Sequence, residues 1–168
     1  TYGYGDFFWG MGNGIVLIEK TFDQNYGIKI DRYATVSFNS FVKAIDALGG
    51  IDIYLDKPVD GGLVGLPLFP AGPNHLNGSY TMAFVRIRHL DTDVYRTRRQ
   101  TLVLKAVIKK ALSPENWVKL PGLYVTLQRE AATTDFSPPE VNTVLCLVKN
   151  IGEENIYFHE IPQDLQKP

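Results

Sequence analysis

An α/β fold is predicted by two observations: strand, helix and strand follow in quick succession between Arg32 and Leu55, and longer helical patterns surround the few β-rich runs. The expected arrangement is three-layered, α-β-α, with a central mixed sheet flanked by helices. A chain of 168 residues, 45% hydrophobic and 21% charged, can bury one core, so residues 1–168 read as a single domain.

The elements follow in order. Gly3, Gly5, Gly10, Gly12 and Gly14 make the start glycine-rich. Residues 13–26 carry Ile15, Ile18 and Phe22 at helical spacing and end at Gly27, a suitable C-cap. Arg32 to Phe38 alternates and is β-rich, and Asn39 is read as the cap of a short helix through Leu48. Gly49-Gly50 ends that helix before a strand over Ile51 to Leu55. Asp60-Gly61-Gly62 is turn chemistry expected to join this strand to a partner near Leu63 to Phe69, with Pro70 to Pro73 as loop. Asn77 is the predicted N-cap of a helix that buries Tyr80, Ala83, Phe84 and Ile87. A long helix occupies residues 94 to 112. Ser113-Pro114-Glu115 and Ser137-Pro138-Pro139-Glu140 both start helices, the second with a capping-box glutamate. Ile156 to Ile161 is the expected last strand.

Charge is unevenly placed. From Arg86 to Lys110 there are eight basic residues and two acidic ones, a balance of +6, against −7 for the remainder. On a wheel of 3.6 residues per turn, Arg96, Arg99, Gln100, Val103, Ala106 and Val107 share one face of the long helix, with Arg98, Lys105 and Lys109 opposite. Arg96 and Arg99 therefore point with the core-forming residues, where an unpaired guanidinium is too costly to persist. Either carboxylates of the same chain meet them or a bound anion does. A compact arginine patch suits phosphate or pyrophosphate, because the planar fork grips two oxygens. Arg86 and Arg88 join that patch if the preceding helix ends near Phe84, since an extended segment puts residues two apart on the same side.

Other chemistries are excluded or disfavoured. The acidic remainder and a pI near 6.3 argue against nucleic acid. His75, His89 and His159 lack metal-ligand spacing and read as surface or core histidines. The lone Cys146 allows no intrachain disulfide or thiolate metal site and reads as a buried free thiol. Neither a dinucleotide fingerprint, a Walker lysine nor a serine nucleophile elbow is present. With no run of 18 apolar residues and no signal-like start, any membrane anchor is expected outside this sequence.

Three motifs together resemble the later part of a LytR-CpsA-Psr domain: Leu68-Phe69-Pro70-Ala71-Gly72-Pro73-Asn74-His75-Leu76-Asn77-Gly78, the helix with Ala83-Phe84-Val85-Arg86-Ile87-Arg88-His89, and Asp93-Val94-Tyr95-Arg96 through Arg99-Gln100. Tyr2-Gly3-Tyr4-Gly5, Ala47-Leu48-Gly49-Gly50 and Thr134-Asp135 fit the same pattern, so the resemblance covers nearly the whole chain.

The resemblance implies a phosphotransferase at the extracellular face of the bacterial membrane, moving a polyprenyl-pyrophosphate-linked anionic glycan, of teichoic acid or capsular polysaccharide type, onto peptidoglycan with Mg²⁺ as cofactor. A non-catalytic binder of polyprenyl phosphate or anionic polymer, or a pyrophosphatase of the lipid donor, are the alternatives. By the same resemblance Arg86, Arg88 and Arg96 grip the pyrophosphate, with Arg99 matching the motif beside them. Asp93 belongs to the polar network or activates the acceptor, and Gln100 hydrogen-bonds near the phosphates. Domains of this kind begin with strands that carry further aspartates and arginines, among them the metal ligands. That portion is expected as an additional N-terminal segment that supplies central strands and packs against this one. The lipid would need a long apolar pocket; the faces around Phe84 and Val103 are candidates for it, although plain core is the preferred reading.

Overall fold

The computed structural model describes residues 14–61, 67–87, 93–117, 119, 122, 133–151 and 155–158. Their elements are α1 (Gly14–Tyr26), β1 (Ala34–Thr35), α2 (Phe38–Ala47), β2 (Ile51–Leu55), β3 (Gly72–Leu76), α3 (Gly78–Arg86), α4 (Asp93–Leu112), α5 (Pro114–Trp117), β4 (Thr133–Thr134) and α6 (Pro138–Ile151). The α/β class holds, with β2 and β3 paired antiparallel. The chain divides into two compact units, Thr1–Thr35 with Thr134–Phe136 and Val36–Thr133 with Ser137–Pro168.

In the first unit, α1 closes as its glycine predicts: the Gly27 N–H returns to the Asp23 carbonyl at 2.9 Å and that of Ile28 to Phe22 at 3.3 Å. The alternating run from Arg32 yields strand only at Ala34–Thr35. Next to it the Tyr33 N–H donates to Asp135 Oδ1 at 2.8 Å, and the Thr134 hydroxyl donates to the Tyr33 carbonyl at 2.6 Å. Side-chain bonds of this kind satisfy the backbone where a strand ladder is too short to do so.

The second unit carries the core. Phe38, expected to end a strand, instead opens α2, because Ser37 and not Asn39 is the cap: the Ser37 hydroxyl accepts from the Ser40 N–H at 3.0 Å. Leu48 closes α2, and Gly49 and Gly50 follow at φ +81° and +83°, a region that L side chains avoid. The strand over Ile51–Leu55 has the predicted bounds and strict alternation, with Ile51, Ile53 and Leu55 buried. Its partner is not the run before Phe69 but Gly72–Leu76, in a register that opposes Ile51 to Leu76 and Leu55 to Gly72. Gly72 and Pro73 were expected in a loop. Among the described residues β2 and β3 pair only with each other, so Pro73 lies on an edge strand, where a missing N–H interrupts no interior ladder. Phe69 does pair, through an isolated antiparallel bridge to Val59, so the chain reverses between them; Gly62 and residues 63–66, where the turn and partner were expected, lie outside the described residues.

Helix α3 begins at its predicted cap, the Asn77 side chain accepting from the Tyr80 N–H at 2.9 Å. It runs past Phe84 to Arg86, and Ile87 then leaves the helical region at ψ 127°. Phe84 and Ile87 are buried as expected, whereas Tyr80 is 47% exposed and Thr81 takes the inward position. The buried stripe of α3 is Gly78, Thr81 and Phe84, each three residues from the next, and the Thr81 hydroxyl is satisfied by the Asn77 carbonyl at 2.8 Å. The core joins Ile45, Ile51, Ile53, Leu55, Phe69, Leu76, Phe84, Ile87, Val103 and Ala106, with Phe69 and Phe84 meeting edge to face at 5.1 Å. Helix α4 packs on β2 and on α3, and α3 packs on α2.

Toward the C-terminus, the Glu140 carboxylate accepts from the Ser137 N–H at 2.8 Å, completing the predicted capping box. Cys146 is exposed, not buried, and α6 also exposes Val144, Leu147 and Ile151 along another face. An apolar stripe is buried only where a second element covers it, which a helical period cannot reveal. Ile156 to Phe158 are irregular rather than strand, and residues 159–161 lie outside the described residues. No helix among the described residues is long and apolar enough to cross a membrane.

Candidate functional site

The wheel of α4 is realised in part, since Gln100, placed on the inward face, is exposed and Arg96 and Val107 are half-buried. Val103 and Ala106 are buried, Arg98, Lys105 and Lys109 are exposed, and Arg99 is 7% exposed. The Arg99 Nη2 donates to the backbone carbonyl of Ile87 at 2.6 Å. A guanidinium on a carbonyl at the end of a helix satisfies an acceptor the helix leaves open and complements the negative end of its dipole.

Arg96, one turn earlier, is half-buried and opens onto a cavity of about 610 Å³ between α2, α3 and α4. Arg86 and Gln100 share that cavity, so three of the residues singled out in the sequence converge. Arg99 is not among its walls. Arg88 lies outside the described residues, and of Asp93 only the backbone, as the first residue of α4, is described.

The rest of the lining was not singled out beforehand. Phe38 and Phe41 from α2, with Val36 and Ser37 before it, form one wall, and Met82 and Val85 of α3 form another. Spacing carries a signal for them: Phe38 and Phe41 are three apart, as are Met82 and Val85, and Arg86 follows at i+4 from Met82 on the same face. The faces proposed for a lipid, around Phe84 and Val103, are solid core at 0% and 3% exposure. The apolar wall is the opposite side of α3.

Phe38 also orients a cation. The Arg86 guanidinium carbon sits 5.3 Å from the centre of its ring, within cation–π range, although Phe38 itself is 69% exposed. The cavity thus has a cationic and amide end formed by Arg86, Arg96 and Gln100, beside aromatic and aliphatic walls. Such a lining suits an amphipathic anion, with phosphate oxygens on the guanidinium forks and hydrocarbon on Phe41, Met82 and Val85.

No group of three or more His, Cys, Asp or Glu that could hold a metal ion occurs among the described residues. His75 is on the surface, its Nδ1 paired with Asp52 at 2.7 Å, while His89 and His159 lie outside the described residues.

A sequence model of the LytR_cpsA_psr family matches residues 2–167. The chain belongs to that family. It is 32% identical over 141 residues to the "Cell wall biosynthesis protein LcpA" of Corynebacterium glutamicum, which takes in 81% of this chain and 27% of that protein. It is 34% identical over 107 residues to the "Polyisoprenyl-teichoic acid--peptidoglycan teichoic acid transferase TagV" of Bacillus subtilis, covering 60% of this chain and 27% of the transferase. The crystal structure of B. subtilis TagV superposes with a TM-score of 0.73 at 24% identity, over 93% of this chain and 59% of that one. TagT bound to LI-WTA gives 0.63 at 20% identity, over 89% and 55%. The chain therefore spans about a third or less of the curated relatives it matches.

Proposed function

We propose that this family member is a cell-wall glycopolymer phosphotransferase that moves an anionic glycan from a polyprenyl-pyrophosphate carrier onto peptidoglycan outside the bacterial membrane. The observation that carries the reading is the convergence of Arg86, Arg96 and Gln100 on one open cavity with apolar walls. The name of the B. subtilis relative, a teichoic acid transferase, supports the reaction class.

Phosphoryl transfer is catalysed chiefly by holding the phosphates in line and stabilising charge on their oxygens, which arginine forks and an amide N–H do without covalent chemistry. In the proposed step the acceptor hydroxyl oxygen forms a bond to the glycan-bearing phosphorus. The bridging P–O bond breaks, and the lipid leaves as its monophosphate. Arg86, Arg88 and Arg96 grip the pyrophosphate, Gln100 hydrogen-bonds beside it, and Asp93 takes the hydroxyl proton or orders the network around it. Arg99 is not among the residues that line the cavity, and its Nη2 is bonded to the Ile87 carbonyl. The Mg²⁺ implied by the family would neutralise pyrophosphate charge. The described residues offer it no cluster of donors, so residues outside them would have to hold it.

The test is transfer from a polyprenyl-pyrophosphate glycan to peptidoglycan by the full-length protein. Arg96→Ala is expected to lower turnover by about 100-fold or more. Unchanged turnover removes Arg96 from the mechanism. Donor loss without attached product indicates a pyrophosphatase, and donor binding without turnover indicates a binder.

A further inference from the structure

We infer that Arg99 is a positioning residue for the pyrophosphate grip, acting on Arg86 through the Ile87 carbonyl; this rests on the phosphotransferase reading above. Three observations converge on it. Arg99 is 7% exposed and does not reach the cavity, although the residue that follows it, Gln100, and the arginine one turn before it, Arg96, both line it. Its Nη2 donates at 2.6 Å to the carbonyl of Ile87, the residue that closes α3 and turns out of the helix at ψ 127°. Arg86, the last residue of α3, is joined to Ile87 by one peptide bond and projects into the cavity.

The mechanics follow from these positions. The end of a helix frays unless its last carbonyls find donors. Ile87 is held on one side by its buried side chain, 3% exposed, and on the other by the Arg99 fork. The strut fixes where α3 stops, and so the direction in which Arg86 leaves the helix. Because its other end is on α4, it also sets the spacing between Arg86 on one helix and Arg96 and Gln100 on the other. A bidentate grip is sensitive to that spacing, since two forks must meet oxygens of one ligand at once.

A positioning residue and a phosphate ligand differ in how their loss combines with the loss of Arg86. In the full-length protein, binding of inorganic pyrophosphate in the presence of Mg²⁺ is measured by calorimetry for the wild type, Arg86→Ala, Arg99→Met and the double variant. Arg99→Met is expected to weaken binding about tenfold in the wild-type background and less than about twofold once Arg86 is gone. Equal, additive losses in both backgrounds make Arg99 an independent phosphate ligand and overturn the inference, as does unchanged binding in Arg99→Met. Arg99→Lys, which keeps a donor within reach of Ile87 but not the fork, is expected to bind within about threefold of wild type and carries the same cycle if the methionine variant does not fold. A lysine variant as weak as Arg86→Ala also overturns it. Wild-type protein that binds no pyrophosphate defeats the proposed function, and the role of Arg99 with it, whereas binding with additive losses defeats only the role of Arg99.

Discussion

The Asp46 carboxylate accepts a hydrogen bond from the Gly78 N–H at 2.7 Å, tying the last turn of α2 to the first residue of α3. These two helices bear the apolar walls of the cavity, so their separation sets its width.

Gly78 sits where a Cβ would overlap the Val42 carbonyl of α2. Backbone on the far side cannot yield as a flexible side chain would. Gly78→Ala is therefore expected to cost about 2–4 kcal/mol, read as a lowered urea midpoint of unfolding. A loss below about 0.5 kcal/mol would mean that the two helices separate freely at this point.

Phe84 and Tyr80 should respond in opposite ways, although both were expected to be buried. Phe84 is fully buried and packs edge to face on Phe69, so Phe84→Ala is expected to cost about 3–5 kcal/mol. Tyr80 is 47% exposed, and Tyr80→Ala should stay within about 1 kcal/mol. Thermal unfolding of the two variants side by side decides it; a reversed order would put Tyr80 in the core.

Met82 should separate lipid from phosphate. It lines the cavity beside Arg86 but is on the apolar wall. Met82→Gln is expected to weaken binding of a prenyl pyrophosphate about tenfold, through lost apolar burial, and to leave inorganic pyrophosphate unchanged. Equal weakening of both ligands would show that the wall supports the arginines rather than a hydrocarbon chain.

Much of this was legible in the sequence because it depends on local pattern. The β2 alternation, the Asn77 cap, the Ser137 and Glu140 box and the inward turn of Arg99 are set by residues within a few positions of one another. What escaped depends on contacts distant in sequence. Ser37 and Asn39 are both good caps, and only the path of the chain into α2 selects the serine. Gly72 and Pro73 read as loop until β2 is there to pair with them. Cys146 reads as core because α6 is apolar along that side, yet nothing among the described residues hides it. For the site, the sequence places charge on α4 but says nothing of what faces it. Phe38, Phe41 and Met82 become cavity walls only once α2 and α3 lie side by side.

An aromatic ring can steer a cation without cancelling it. A carboxylate holding Arg86 would fix the guanidinium equally well, but an arriving phosphate would first have to break that ion pair. The face of Phe38, 5.3 Å away, offers only the weak negative potential of its π cloud. The full formal charge remains to be read by whatever enters. Orientation and availability, which oppose each other in a salt bridge, are here supplied by separate partners.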